Sequence, residues 1–315
     1  MTKTIGAAGF IGIAVEETSG TYQAPTKFFP IMSESLSWTQ NTNWRRVIRG
    51  TTDVIGAVPG NGNVEGDIES ELLTDVLPYM LLAARGTLTK DGVAAPFVYT
   101  FTPTHGALAP NTLSITIVRG EEAFGYVGCN VSSMTFGVDN DMATVSYSIL
   151  GTAEQSVTPP ATPTYGDDVP FGAGTWSIEI PTETQIFDAD NFSLEINDNG
   201  EVQYRLKNVL GAQFIKFGER DVQLTLDRDF EDRDEYDIFK ELTAQSVSVG
   251  LNESANNQVK FSVVAAIIDA YAVNLSSVGD LVRSSTTYVG THGSGDGAYE
   301  VAITSAEDVT LPVAE

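Results

Sequence analysis

Several short segments of the chain alternate apolar and polar residues with a period of two. Residues 192–197 read Phe-Ser-Leu-Glu-Ile-Asn, and residues 143–149 and 222–226 follow the same pattern. Because neighbouring side chains of a strand point to opposite faces of a sheet, the pattern predicts strands with one buried and one polar face. The 29 glycines are spread along the chain and suit the many turns that short strands need. We therefore predict a mainly β protein.

The same pattern occurs twice. An offset of 158 residues aligns residues 35–69 with residues 193–227 without gaps. The matching positions are Leu36 with Leu194, Ile48 with Leu206, Arg49 with Lys207, Gly60 with Gly218, Val64 with Val222, Ile68 with Leu226 and Glu69 with Asp227. In the second copy, residues 197–200 read Asn-Asp-Asn-Gly, which predicts a hairpin turn and a return strand over 202–207. The repeat predicts two similar domains.

Each copy also contains one predicted helix. The second begins at Asp234, which we expect to cap it. The first spans residues 74–85 and is apolar nearly all round. A helix of this kind must be covered on more than one side. We therefore take Val76, Tyr79 and Met80 as candidates for contact with a neighbouring subunit.

A segment rich in proline and threonine separates the copies. It predicts a stiff, exposed linker over residues 158–170, between a first domain at 1–157 and a second at 171–315. The N-terminal residues 5–15 are apolar after a lysine, as in a signal peptide. Three glycines among them favour an ordered, extended arm of the first domain instead.

Residues 40–62 form a long, glycine-rich segment with no evident local core for its apolar residues. A hairpin of this length is marginal alone in water, so we expect contact with another subunit to order it. Its basic cluster is compatible with a solvated hairpin or with pairing to acids of a neighbour. The candidate contact residues of the segment are Trp44, Arg45, Arg46, Arg49, Ile55 and Val58.

The chain is strongly acidic, with 42 acidic and 17 basic residues and a net charge of −25. Most of the excess lies in residues 158–315. Such a charge argues against direct binding to nucleic acid or to anionic membranes. No apolar run approaches the length of a membrane-spanning helix, and the single cysteine, Cys129, excludes an intrachain disulfide.

No arrangement of residues in the sequence predicts catalysis. The two histidines, His105 and His292, lie in separate loops without a triad or metal-binding spacing around them. The acidic run 227–235 begins like a calcium loop, but Asp232 and Ile238 occupy the positions of the required glycine and glutamate. We expect an acidic approach to a helix N-terminus, and we predict no enzyme activity, no cofactor and no metal.

The N-terminal region resembles a known family. Residues 13–21 read IAVEETSGT, residues 24–30 read APTKFFP, and residues 33–36 read SESL. This order is similar to the opening of the major tail tube proteins of long-tailed, non-contractile bacteriophages. In that family an EETxGT stretch precedes a PTxFxP segment and the first strand.

The resemblance implies β-sandwich or barrel-like tail tube domains, here two in tandem, each with one flanking α-helix. Such proteins form rings that stack into a hollow tube. Single-domain members form hexameric rings, so three chains with two domains each would make a pseudo-sixfold ring, with a hexamer as the alternative. The segment 40–62 would bridge rings.

The resemblance also implies partners and a location. The chain would be made in the host cytoplasm and reside in the virion. It would meet the tape measure, tail terminator and tail tip proteins, and DNA would pass through the lumen without specific binding. The alternatives are a tube protein of a related secretion or injection system, an extracellular adhesin or glycan-binding module, and a hydrolase. A signal peptide would favour the extracellular module.

Overall fold

A computed structural model describes the chain except residues 1–5, 7–8, 106–110, 161–162, 167–168, 173, 182–183, 207–209, 231, 276–280, 294–296 and 310–315. Strands take up 59% of the chain and helices 5%, which confirms the mainly β class. The strands are β1 (Phe10–Val15), β2 (Lys27–Phe29), β3 (Ser33–Glu34), β4 (Ser37–Arg45), β5 (Gly56–Glu71), β6 (Gly86–Asp91), β7 (Phe97–Pro103), β8 (Leu113–Arg119), β9 (Glu122–Asp139), β10 (Met142–Gly151), β11 (Ala153–Val157), β12 (Trp176–Glu179), β13 (Gln185–Ile186), β14 (Ala189–Asn197), β15 (Glu201–Gln203), β16 (Phe214–Lys216), β17 (Asp221–Asp229), β18 (Gln245–Ser254), β19 (Asn257–Asn274), β20 (Arg283–Gly290) and β21 (Tyr299–Ser305). The helices are α1 (Leu77–Leu82) and α2 (Asp234–Glu241).

Eight strands form one continuous antiparallel sheet. Their order is β4-β5-β10-β9-β14-β17-β20-β19. The first four strands come from the first half of the sequence and the last four from the second half. We call this layer the eight-stranded sheet.

Two further sheets lie beside it. One has the order β2-β1-β8-β9-β11, and the other has the order β13-β12-β18-β19-β21-β7-β6. The strands β9 and β19 are each 18 residues long and belong to two layers. Each runs first through one of these sheets and then through the eight-stranded sheet, so that the layers are joined covalently.

The hydrophobic core lies between the layers. Phe136 of the eight-stranded sheet meets Phe261 of the facing sheet with ring centroids 4.4 Å apart, and Trp176 meets Phe192 at 4.8 Å. The alternation seen in residues 192–197 is the cause, because every second side chain of these strands points into the core. Packing of two sheets over a shared apolar layer is a sandwich-type fold.

The strand pairing of the first half recurs in the second. The pairings β1–β2 and β1–β8 recur as β12–β13 and β12–β18. The pairings of β9 with β8, β10 and β11 recur as those of β19 with β18, β20 and β21. The chains β4–β5–β10 and β14–β17–β20 also correspond.

The residue register recurs as well. In the first half, β3 and β4 run along β5, as β14 runs along β17 in the second. The pairs are Ser33 with Glu69, Glu34 with Ile68, Ser37 with Glu65, Trp38 with Val64 and Thr39 with Asn63, and then Asn191 with Asp227, Phe192 with Leu226, Glu195 with Gln223, Ile196 with Val222 and Asn197 with Asp221. Every residue of the first set lies 158 positions before its counterpart.

Even irregularities of the ladders recur. In the first half, the ladder of β9 with β8 shifts register between Leu113 and Ile115, and that of β9 with β10 shifts between Ser148 and Ile149. In the second half, the ladder of β19 with β18 shifts between Gln245 and Val247, and that of β19 with β20 shifts between Ile268 and Ala270. Bulges are inherited features of a fold, so their recurrence favours a common origin of the halves.

The halves are interlocked in the chain that the structure describes. The hairpin β6–β7 follows α1 in sequence, and β7 pairs with β21 of the second half. The second half has no counterpart of this hairpin among the described residues. The predicted linker also contacts both halves, since Tyr165 pairs with Phe28 and the Val169 carbonyl accepts a 2.8 Å hydrogen bond from Asn257.

Three local predictions need correction. The predicted hairpin turn at 197–200 is wrong, because β15 pairs with β16 and the antiparallel partner of β14 is β17. The first helix is shorter than 74–85. The second begins at Asp234, but Arg233 holds the cap position and makes no side-chain capping bond.

The N-terminal region is an ordered strand from Phe10 onward. Residues of β1 pair with β8 on one side and β2 on the other, and Ile11 and Ile13 are fully buried. The apolar stretch that resembles a signal peptide is therefore used, from Phe10 onward, as a core strand.

Candidate assembly surfaces

One face of the eight-stranded sheet carries small and polar side chains. The opposite face points into the core, so residues of this face are exposed or half-buried. We define the polar face as Ser37, Thr39, Glu65, Asp67, Glu69, Ser133, Thr135, Gly137, Thr144, Ser146, Ser148, Ser193, Glu195, Asn197, Gln223, Thr225, Asp227, Ala270, Ala272, Asn274, Ser285, Thr287 and Val289.

The charge on the polar face is mainly negative. Five of the residues just defined are carboxylates. Arg283, the cross-strand partner of Asn274, lies on the same face, and its guanidinium lies 2.7 Å from the carboxylate of Asp190. The face is therefore a smooth, negative surface, without the paired bulky side chains that a sheet uses to pack on another layer.

The eight-stranded sheet has two open edges. At one end β4 pairs only with β5, and at the other the last part of β19, from Ile267 to Asn274, pairs only with β20, as far as the described residues show. Open edges expose unpaired N–H and C=O groups and favour the addition of another strand. They are candidate contacts between copies of the chain.

The hairpin formed by β4 and β5 projects from the body. Trp44 is 61% exposed, Val58 is 47% exposed and Ile48 is fully exposed. Such a concentration of large apolar side chains at the end of one hairpin is typical of a surface that another protein covers. The arginines of the segment, Arg45, Arg46 and Arg49, are exposed on the same hairpin, and Ile55 is half-buried there.

The candidates on α1 are placed differently. Val76 is 2% exposed and Met80 is fully buried by residues of their own chain. Tyr79 is half-buried, and this burial raises the pKa of its hydroxyl. Val76 and Met80 are therefore corrected from contacts with a neighbour to core residues of their own chain.

Sequence reasoning missed the role of Glu16. Its carboxylate is 6% exposed and accepts hydrogen bonds from the backbone N–H of Gly20 at 2.7 Å and of Gly128 at 2.9 Å. It also accepts hydrogen bonds from the hydroxyls of Thr112 at 2.6 Å and Ser114 at 2.9 Å. Gly128 has a φ of 61°, so β9 is irregular at this residue. The carboxylate of Glu16 therefore links the EETxGT bend to an irregular point of β9.

A second buried carboxylate joins the halves. Asp198 is 2% exposed, and the guanidinium nitrogen Nε of Arg220 donates a 2.6 Å hydrogen bond to it. The side chain of Arg85, which follows α1, lies 3.4 Å from the same oxygen and donates a 2.8 Å hydrogen bond to the carbonyl of Gly218. The cluster holds the segment between β14 and β17 against the end of α1.

The acidic run before α2 is also used internally. Arg228 forms ion pairs with Asp188 at 2.9 Å and with Glu235. Burial works to lower the pKa of Arg228, but its carboxylate partners outweigh burial and raise it. Asp234, Glu235 and Asp237 lie in the first turn of α2, where negative charge stabilises a helix.

The structure brings the two histidines together, although the sequence separates them widely. The rings of His105 and His292 meet edge to face with centroids 5.0 Å apart. Among the described residues, no group of three or more His, Cys, Asp and Glu side chains is placed to hold a metal ion. The pair therefore joins two loops without forming a recognisable metal centre.

The chain thus combines two similar, interlocked halves with a sheet that has one polar face and two open edges. A protein-family model described as phage tail tube protein matches residues 6–314. The chain belongs to the phage tail tube protein family. No curated protein matches the chain.

This membership confirms the resemblance inferred from residues 13–36. The protein is a structural subunit of a phage tail tube, a component of the virion whose copies assemble into the tube. No helix in the described part of the chain is long and apolar enough to cross a membrane.

Proposed function

We propose that three copies of this tail tube protein close into a ring with pseudo-sixfold symmetry. Each half of the chain acts as one tube domain, with the first at 1–157, the linker at 158–170 and the second at 171–315. The rings stack, and DNA passes through them without specific binding. The subunit works by assembly and carries out no catalysis.

The observation that carries this proposal is the repeated register of β3–β5 and β14–β17. Two halves with the same pairing can occupy equivalent positions around an axis, so one chain supplies two of six positions. Contacts between unlike surfaces form closed rings when the rotation between neighbours closes. Three chains then satisfy the symmetry that the resemblance attributes to six single domains.

We place the polar face of the eight-stranded sheet on the lumen. Cations facing DNA would each add a phosphate contact and a gain from counterion release, and repeated rings would multiply their effect. A wall rich in carboxylates, on which Arg283 is paired with Asp190, instead repels the phosphates and keeps DNA near the axis. The five carboxylates of the polar face supply that field.

The hairpin 40–62 is assigned to contacts between rings. Its exposed Trp44 and Val58 lack a core in their own chain. Its arginines are suited to the acidic surface of a neighbouring copy. By family resemblance, the ends of the assembled tube meet the tail terminator and tail tip proteins, and the tape measure protein occupies the lumen before DNA; the subunit is made in the host cytoplasm.

Electron microscopy of the purified protein at high concentration tests the proposal. We expect hollow tubes with a regular axial repeat and rings that look sixfold in cross-section. A protein that stays monomeric at high concentration, or forms irregular aggregates, would contradict self-assembly by this chain alone.

A further inference from the structure

The eight-stranded sheet contains a seam at which the first half meets the second. Residues 133–137 of β9 pair with residues 193–197 of β14. The cross-strand pairs Phe136 with Leu194 and Met134 with Ile196 point into the core, and all four side chains are at most 2% exposed. On the other face, Thr135 pairs with Glu195.

The equivalents of both seam strands lie at the open ends of the sheet. The repeated register makes residues 35–39 the counterparts of 193–197. The matching ladders of β9 with β10 and of β19 with β20 make residues 270–274 the counterparts of 133–137. In the described chain, neither edge has a strand partner on the side that the seam uses.

We infer that residues 270–274 of one copy pair antiparallel with residues 35–39 of the next, in the register of the internal seam. This inference rests on the proposed ring and specifies its contact. Ser37 then lies opposite Ala272, as Glu195 lies opposite Thr135. The core-facing pairs are Leu36 with Val273 and Trp38 with Tyr271.

The side chains at the open ends suit this pairing. Val273 is 40% exposed, whereas its seam counterpart Phe136 is 1% exposed. Trp38 and Tyr271 are half-buried. Pairing would cover these apolar groups as the seam covers its own, and it would satisfy open N–H and C=O groups of the edges. The carbonyl of Leu36 already accepts hydrogen bonds from Arg119 at 2.6 Å and Tyr126 at 3.1 Å, so the new strand would share or displace them. No charged residue lies within 35–39 or 270–274 to oppose the contact.

The helices give an independent observation. α1 lies beside the seam and is almost wholly buried, while α2, its counterpart at the open end, has no buried residue. Tyr236 and Phe239 of α2 contact Tyr271 with ring centroids 5.9 and 6.5 Å away. A second copy paired with 270–274 would cover this aromatic group.

Disulfide trapping tests the register. Antiparallel partners have Cα atoms about 4.5–5.5 Å apart, within the range a disulfide spans, whereas diagonal neighbours are about 7–8 Å apart. The test variant is Ser37→Cys with Ala272→Cys. Cys129 stays in place, because it is fully buried and burial raises the pKa of its thiol.

Two matched variants control the test. Thr135→Cys with Glu195→Cys places the same pair at the internal seam and should close within one chain, without a change in mass on a denaturing gel. Ser37→Cys with Asn274→Cys shifts the register by two residues. We expect assembled tubes of the test variant to give covalent trimers on oxidation, and at least tenfold less product from the shifted pair.

The outcomes separate this inference from the proposed function. Tubes whose test pair stays reduced, while the internal pair closes, would overturn the inference and leave the tube subunit intact. Cross-linked chains longer than trimers would support the pairing and contradict the three-chain ring. As a second check, Val273→Asp should keep the monomer folded and abolish rings; normal rings would also overturn the inference.

Discussion

Buried carboxylates hold irregular parts of this tail tube protein in place. Glu16 and Asp198 each lie at a point where the backbone leaves a strand. Four groups donate hydrogen bonds to Glu16, and Asp198 accepts one from Arg220 and forms an ion pair with Arg85. A buried charge of this kind is tolerated only when its oxygens are satisfied. Removing the carboxylate leaves buried donors without partners, and the free energy lost in this way exceeds the net contribution of the hydrogen bonds.

We expect Glu16→Ala to lower the free energy of unfolding of the unassembled protein by about 3 kcal/mol, because two backbone N–H groups and two hydroxyls lose their acceptor. Urea denaturation measures the change. The matched control is Glu17→Ala, which removes an exposed acid next to it and should cost no more than about 0.5 kcal/mol. Equal stabilities of the two variants would contradict the role of Glu16.

Elements of the same type have different environments in the two halves. α1 is buried and α2 is not, and β21 is covered by β7 while its counterpart β11 has no such neighbour among the described strands. For β21 the difference follows from the hairpin β6–β7, which occurs in the first half and pairs with the second. In the proposed tube, the projecting hairpin of β4 and β5 is the element that we expect to depend most on assembly.

We predict that Ile55→Ser with Val58→Ser blocks ring stacking and leaves the monomer folded. Loss of apolar burial at each ring contact would cost about 1.5–3 kcal/mol per side chain, multiplied around the ring. Tube length in electron micrographs measures stacking. Val93→Ser with Val264→Ser is a control, because both valines are exposed elsewhere. Tubes of normal length from the hairpin variant would contradict its bridging role.

The alternation of apolar and polar residues and the 158-residue offset predicted strands of both halves. The 158-residue offset held through β5, β14 and β17 because no insertion separates these elements from their counterparts. It could not extend further, since β6 and β7 add a hairpin to the first half only. The Asn-Asp-Asn-Gly turn failed because residues 201–203 continue outward and pair with residues 214–216, as residues 43–45 pair with residues 56–58 in the first half.

The assembly surfaces were only partly predictable. The exposed hairpin at Trp44 and Val58 followed from the absence of a local core. The burial of Val76 and Met80 within their own chain did not, because a sequence does not show which side of an apolar helix its own chain covers. The role of the open edges at 35–39 and 270–274 could be inferred only from the strand pairing at the seam, which the sequence does not show.

For the whole molecule, symmetry and charge act together. The eight-stranded sheet gives each chain a continuous wall with core on one side and the polar face on the other. Repetition around an axis places the same carboxylates at regular intervals along a tube. A net charge of −25 also keeps the unassembled protein soluble, but solubility does not require that the acids lie on one particular face.

We predict that Glu69→Lys with Asp227→Lys slows DNA release from virions several-fold while tubes still assemble, because new cations in the lumen would contact phosphates. Dye access to released DNA measures the rate. Glu154→Lys with Glu253→Lys makes the same charge change away from the polar face and should release DNA normally. The same delay in both variants, or in neither, would contradict a lumenal polar face.

The mass of a single ring tests the central claim most directly. Native mass spectrometry of rings released from tubes should give three times the chain mass of 33.7 kDa, because each chain supplies two tube domains. The same rings should look sixfold by electron microscopy. A ring of six chains would show that the two halves do not occupy equivalent positions, and it would contradict the account.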